Sequence, residues 1–234
     1  MLPVAILMGG MATRLGPLTQ ETPKALLEIN GQPFVAHQLR LLRGSGIRRA
    51  VLCVGHLGEP IRQFVGTGER FGIAVQYSFD GPALCGTGGA IRQALPLLAD
   101  PFFVLYGDSY LPCDYSRVQR AFEESGREGL MTVYHNRGQW DASNVEFSGG
   151  RILSYGKQPD PRRHHIDYGL GVFRHTAFET LAPGQACDLA DIYQALLMRG
   201  ELAACEVQER FYEIGSVAGI QDLSRALSDG PPNS

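Results

Sequence analysis

The sequence predicts an α/β fold: a single-domain, Rossmann-like mixed sheet with predominantly parallel core strands and flanking helices. Three observations predict it. Short, unbroken apolar runs recur through the first half of the chain, as expected for parallel strands buried on both faces. Segments with apolar residues at helical spacing separate them, which implies right-handed crossovers. Glycines punctuate the ends of the runs, where the loops of such a sheet collect ligands.

Val4 to Met8 reads as the first strand, followed by a glycine-rich polar loop to Pro23. Ala25 to Ile29 is a short apolar element before the Asn30-Gly31 turn. A helix is expected from Pro33 to Gly44, with Phe34, Val35, Leu39, Leu41 and Leu42 on its apolar side. Ala50 to Val54, Ala74 to Ser78 and Phe102 to Tyr106 continue the strand series, and Glu59 to Val65 and Ala90 to Leu97 are the intervening helices. The second half is less regular. Leu130 to Tyr134 is strand-like, Asn144 to Phe147 and Arg151 to Tyr155 form a hairpin around Gly149-Gly150, and Gly169 to Phe173 is another strand. Ala190 to Leu197 is a helix, Phe211 to Ile214 ends beside Gly215, and Val217 to Leu227 is helical. One domain over residues 1–228 and a frayed tail at 229–234 are expected.

The 234 residues suffice for a sizeable core, and a net charge of −3 provides no global attraction to nucleic acid or an anionic membrane. Cys53, Cys85, Cys113, Cys187 and Cys205 form no CxxC pair, which points to reduced thiols in a cytoplasm. The N-terminus lacks a basic leader and no apolar run reaches membrane-spanning length, so a soluble protein is expected.

The most informative segment is GGMATRLGPLTQETPK, Gly9 to Lys24. Glycines allow close backbone approach, exposed N–H groups hold phosphate oxygens, and Arg14 and Lys24 add two cations. Such a loop can grip a triphosphate; a plain glycine turn with surface Arg and Lys is the competing reading. It is neither a Walker A loop nor a GxGxxG fingerprint. CGTGGAIRQAL, from Cys85, is by itself equally a glycine turn and a helix cap. Asp108 stands immediately beyond an apolar strand, where a carboxylate can either hold magnesium or cap a turn.

The Gly9 to Lys24 segment resembles the signature of sugar-1-phosphate nucleotidyltransferases, GGxGTRLxPLTxxxPKxLxxIxGxP. The match runs through Gly9, Gly10, Thr13, Arg14, Leu15, Pro17, Leu18, Thr19, Pro23, Lys24, Leu26, Ile29, Gly31 and Pro33. It extends to Gly86–Gly89, Gly107-Asp108 and Phe211–Gly215; Ala12 stands where the family has glycine, and Met8 replaces the usual alanine. The resemblance implies the nucleotide-diphospho-sugar transferase fold, with a nucleotide-binding half over about 1–115 and a sugar-phosphate half over about 116–228. It implies that Met8, Gly9, Gly10, Thr13, Gly86, Thr87 and Gly88 hold the nucleotide, and that Arg14, Lys24 and Asp108 are catalytic. Magnesium would be held by Asp108 and by Glu213, which occupies the usual aspartate place.

The implied partners are an NTP and a sugar 1-phosphate, joined with release of pyrophosphate to make precursors of surface polysaccharides or glycoconjugates. On the acceptor side the resemblance points to Asn144, Lys157, Asp167 and Gly169. The family glutamate before Lys157 is Gly156 here, and Asp167 falls where asparagine is common. Read from residue types alone, Lys157 is a solvent-facing lysine and Asp167 a partner for Arg or a turn cap. Pro161–His165 reads as a solvated loop, and Trp140 as a stacking or packing residue. Transfer to phosphocholine or another small phosphomonoester and a non-catalytic sugar-nucleotide sensor are the alternatives. Glycosyl transfer would need an Asp-x-Asp motif, which Gly107-Asp108-Ser109 does not provide. A homodimer is compatible with the class.

Overall fold

The computed structural model describes residues 1–9, 22–55, 57–81, 85–140 and 142–228. In chain order, β1 (Val4–Leu7) precedes a 3-10 turn at Lys24–Leu26, β2 (Glu28–Ile29), β3 (Gln32–Pro33), α1 (Phe34–Gly44), β4 (Arg49–Val54) and α2 (Gly58–Val65). There follow β5 (Ala74–Phe79), α3 (Gly86–Ala94), β6 (Phe102–Tyr106), β7 (Ser109–Tyr110) and α4 (Tyr115–Ser125). The chain continues through β8 (Gly129–His135), β9 (Val145–Ser148), β10 (Arg151–Tyr155), β11 (His165–Phe173), α5 (Leu189–Arg199), β12 (Leu202–Val207), β13 (Tyr212–Glu213) and α6 (Val217–Ser228).

β6, β1, β4 and β5 lie side by side and parallel. β11 joins antiparallel to β6 and to β8, and β12 lies parallel beside β8. The β9–β10 hairpin attaches at the start of β11. The mixed sheet with a parallel core is the architecture expected from the apolar runs, and the burial pattern explains those runs. Val4, Ile6, Leu52, Phe103 and Leu105 pack under α1, α2 and α4 on one face. Ala5, Leu7, Val51, Cys53, Phe102 and Val104 pack under α3 and α5 on the other. Successive residues of each strand therefore enter different cores, and neither position can be polar.

Several features differ from the sequence expectation; β11 begins at His165 rather than Gly169 and takes in a residue read as part of a solvated loop, because it pairs there with His135 and Val145. α3 begins at Gly86 rather than Ala90. Its glycines are helical because they pack against the start of α5: a Cβ on Gly89 would meet Cys85 Cβ at 2.6 Å and Gln185 O at 2.9 Å. Two elements also appear that periodicity did not suggest, α4 and β12. α4 has an amphipathic face of only Tyr115, Val118 and Phe122, but Asp114 caps it by accepting from the N–H groups of Ser116 (2.9 Å) and Arg117 (3.1 Å).

A register shift in β11 positions part of the site. Asp167 pairs with Val133 but Gly171 pairs with Met131, so β11 carries extra residues between these points. Thr132, buried opposite the irregularity, donates its hydroxyl to Leu170 O at 2.6 Å. Gly169, inside it, has φ +93, a conformation suited to glycine.

Candidate active site

The carboxyl ends of β1, β4 and β6 open into a cavity of about 370 Å³ that is walled on its far side by the starts of α3 and α5. This is where an open α/β sheet places its ligands. Met8 and Gly9 line its floor, and Met8 N–H donates to Cys53 O at 2.7 Å. A Cβ on Gly9 would meet Asp80 Oδ2 at 2.9 Å, and one on Gly107 would meet Met8 Cγ at 2.6 Å. Both glycines keep this floor flat and open.

At one end of the cavity Lys24 Nζ lies 3.1 Å from Asp108 Oδ2, with the lysine side chain 19% exposed and the aspartate 34%. The Asp108 turn is braced from beneath by Gln38 of α1. Its buried Nε2 donates to Tyr106 O (3.0 Å) and Ser109 O (2.8 Å), straddling Gly107 and Asp108. β13 completes this edge: Tyr212 pairs with Tyr110, Glu213 pairs with Ser109, and Ile214 N–H donates to Asp108 O at 3.0 Å. Asp108 and the exposed Glu213 are thus carried by adjoining chain segments. Among the described residues no cluster of three or more His, Cys, Asp or Glu side chains is arranged for a metal. A sparse, oxygen-only pair suits magnesium, which takes one or two carboxylates, keeps waters and accepts substrate phosphates.

At the opposite wall, Gly86 and Thr87 line the cavity. Gly86 has φ +69, and a Cβ there would meet Cys187 O at 2.6 Å. The N–H groups of Gly88 and Gly89 donate to Cys187 O (2.8 and 3.2 Å), and Leu189 N–H donates to Thr87 Oγ1 at 2.7 Å. Gly88 is therefore buried in the α3–α5 joint with its N–H already paired, while Gly86 and Thr87 remain at the surface of the cavity.

Asp80 is a lining residue that the sequence reading did not single out. Its N–H donates to Val54 O at 2.9 Å, which fixes it at the end of β5. Burial raises its carboxyl from the ordinary aspartate value. The signal in the sequence was a carboxylate directly after a strand, the same one that marked Asp108.

The structure gathers Asn144, Asp167 and Gly169, the residues expected to meet the acceptor. Asn144 Oδ1 accepts from Asp167 N–H at 2.9 Å, and Asp167 Oδ1 accepts from Gly169 N–H at 3.0 Å. Tyr155 O–H points at Asp167 Oδ2 across 3.4 Å. Burial lifts the Asp167 carboxyl to about 6, against the opposing pull of those donors. Tyr106 links the two regions: it lines the cavity, and its phenol is raised well above the ordinary value by burial and by the negative charges of Asp167, Asp108 and Asp188. Lys157 is 85% exposed and lies 3.9 Å from Asp188 Oδ2, a carboxylate on the cavity wall. Arg163 fills the space beside Gly156, donating to Gly156 O (2.8 Å), Gln158 O (2.7 Å) and Ser154 Oγ (3.2 Å).

Other singled-out residues lie elsewhere. Gly10, Thr13 and Arg14 fall outside the described residues. Tyr168 is buried in the core beside Tyr134 and Phe211, and Trp140 stacks on Arg210. His165 lies 3.2 Å from Glu206 and stacks on His135.

The strand-end cavity and the mixed sheet that forms it accompany a family match over nearly the whole chain. The chain belongs to the nucleotidyl transferase family, whose model matches residues 4–230. Among curated relatives, the catalytic subunit beta of mannose-1-phosphate guanylyltransferase from Danio rerio is 29% identical over 217 residues, covering 90% of this chain and 60% of that protein. The chain thus spans about 60% of the length of that relative. The N-acetylmuramate alpha-1-phosphate uridylyltransferase of Neisseria meningitidis is 26% identical over 230 residues, covering 93% of this chain and 94% of the relative. Among solved structures, HddC from Yersinia pseudotuberculosis superposes with a TM-score of 0.80 at 21% identity, covering 97% of this chain and all of the other, and shares the fold. No helix among the described residues is long and apolar enough to cross a membrane.

Proposed function

We propose that this protein transfers a nucleotidyl group from an NTP to a sugar 1-phosphate, releasing pyrophosphate and forming an NDP-sugar. The observation that carries this reading is the continuity of the site. A flat-floored cavity has Lys24 and Asp108 at one end and Tyr106 in its lining, and a Cβ on Gly169, hydrogen-bonded to Asp167 beside Asn144, would meet Tyr106 Cδ2 at 3.6 Å. The sugar phosphate oxygen attacks the α-phosphorus; that P–O bond forms as the bond to the β-phosphate oxygen breaks, and the electron pair leaves with pyrophosphate. A phosphomonoester is already anionic near neutral pH, so no protein nucleophile is required. Positioning and charge stabilisation supply the rate. Lys24 moves from Asp108 to the phosphates, Arg14 grips the triphosphate, and Lys157 leaves Asp188 for the acceptor phosphate. Magnesium, when bound by Asp108 and Glu213, supplies neutralisation of phosphate charge.

Asp80 supports GTP as the donor. An ionised carboxylate only accepts hydrogen bonds. Guanine presents two adjacent donors, N1–H and the N2 amino group, whereas uracil presents a single N–H between two carbonyl oxygens that repel a carboxylate. Relatives named for guanylyl and for uridylyl transfer both occur, and the carboxylate of Asp80 in the cavity lining favours the first. The aromatic groups that a phosphocholine pocket would need, Tyr168 and Trp140, are engaged in the core and on Arg210, which favours a sugar acceptor.

The test is a pyrophosphate-release screen of ATP, CTP, GTP, UTP and dTTP against hexose, N-acetylhexosamine and heptose 1-phosphates and phosphocholine, with and without magnesium. Magnesium-dependent release with GTP and one sugar is expected. Turnover only with phosphocholine would overturn the acceptor, and equal turnover with UTP would overturn the role of Asp80.

A further inference from the structure

Outside the cavity, one guanidinium joins three separate parts of the chain. Arg210 lies between β12 and β13, with its Cζ 3.8 Å from the centroid of the Trp140 ring and 4.8 Å from that of Tyr212. Its Nη2 lies 2.6 Å from Asp222 Oδ2 on α6. Its Nε is shut away from water with no hydrogen-bond acceptor. The site is therefore built for a flat cation stacked between rings, a shape that lysine does not have.

Both stacking partners lead into the site. Tyr212 immediately precedes Glu213 and pairs with Tyr110 of β7, two residues beyond Asp108. Trp140 lies in the connection between β8 and β9, which ends at Asn144. That connection is braced from within: Asn136, 2% exposed, accepts from Trp140 N–H (3.1 Å) and donates to Ser143 Oγ (3.1 Å). These bonds tie Trp140 to Ser143, the neighbour of Asn144, whose Oδ1 accepts from Asp167 N–H.

We propose that Arg210 is a positioning residue that sets the Glu213 segment and the Asn144 segment against each other, aligning the metal side of the site with the acceptor side. The proposal rests on the nucleotidyl-transfer reading above, with Glu213 as a metal carboxylate. It predicts that metal arrival is felt at Trp140, the chain's single tryptophan.

The experiment measures Mn²⁺ binding to the full chain without nucleotide, by loss of the free-ion EPR signal, together with tryptophan emission during a MgCl₂ titration. Wild type is expected to change emission as metal binds. R210K is expected to lose that response and to weaken Mn²⁺ binding about tenfold, as loss of a residue that orients a ligand does. W140F, which retains a flat apolar face, should weaken Mn²⁺ binding less and in the same direction; it serves as the second variant if R210K does not fold. Wild-type Mn²⁺ affinity and an intact emission response in R210K, with E213Q weakened, would overturn the role of Arg210 alone. Wild-type affinity in E213Q would overturn the metal assignment beneath it, and the proposal with it.

Discussion

Lys24 and Asp108 hold each other at 3.1 Å, so each is oriented before substrate enters. Removing either leaves its partner without that contact, and in the proposed reaction loss of Lys24 also removes the cation facing the departing pyrophosphate. K24M is expected to lower kcat/KM by about 10²- to 10³-fold, the scale set by loss of one transition-state donor, measured by pyrophosphate release. Asp80 should act on selection. D80N is expected to reduce the kcat/KM ratio of GTP to UTP, because an amide presents a donor to the base edge as well as an acceptor. A ratio unchanged from wild type would remove Asp80 from base recognition. Asp167 makes a prediction in pH. Its folded pKa of about 6 lies above the unfolded carboxylate value, so the folded chain holds this proton more tightly. The group's contribution to stability is full below the unfolded value, near pH 4, and is lost as pH rises through about 6. D167N should flatten this part of the stability–pH curve. Above about 6 the ionised form accepts from sugar hydroxyls, so wild-type acceptor KM should fall more steeply across that pH than that of D167N, whose remaining dependence reports the second ionisation of the sugar phosphate at about 6.

Elements place these residues through joints that tolerate little added volume. The start of α3 meets the start of α5 at Gly86, Gly88 and Gly89, where an added Cβ would approach Cys187 O to 2.6 Å at Gly86 and 3.1 Å at Gly88, and Cys85 Cβ to 2.6 Å at Gly89. G86A combines that clash with positive φ and is expected to cost about 1–3 kcal/mol in thermal unfolding while also raising the KM for NTP. β11 makes a similar demand at Thr132. T132V leaves the buried Leu170 carbonyl without its hydroxyl donor and should destabilise by about 1–3 kcal/mol, with a larger effect on acceptor KM than on NTP KM. Not every joint was visible from pattern. α4 has sparse apolar residues, so periodicity passed over it, although Asp114 at its start and Gly126 at its end are ordinary capping signals. β12, Leu202–Val207, is alanine-rich and becomes a strand by lying parallel beside β8, a pairing that local propensity does not encode.

At the scale of the whole molecule, the sheet is shared by two cores. Phe102 and Phe103 are neighbours in β6, yet Phe102 packs beneath α3 and α5 and Phe103 against the opposite layer. F102A and F103A should each cost about 3–5 kcal/mol, because each leaves a cavity under a different helical layer. Since both rings hang from one strand, far-UV and near-UV melting curves should coincide in each variant; separated transitions would show that the layers unfold independently.

The apolar runs determined the parallel core by themselves, since a strand covered by helices on both faces admits polar residues at neither of its alternating positions. Lys24 and the carboxylate after β6 were each marked by a local pattern, a cation after a glycine-rich segment and an aspartate directly beyond a strand. What the tertiary structure decided is long-range. It brought Asp80 to the cavity from the end of β5, bound Gln38 beneath Asp108, joined Glu213 to β7, and linked Tyr155 and Asn144 to Asp167 through the β11 irregularity. None of these pairings has a fixed spacing along the chain, since each arises where strands or helices distant in sequence meet, and the contact exists only once the sheet has set their register.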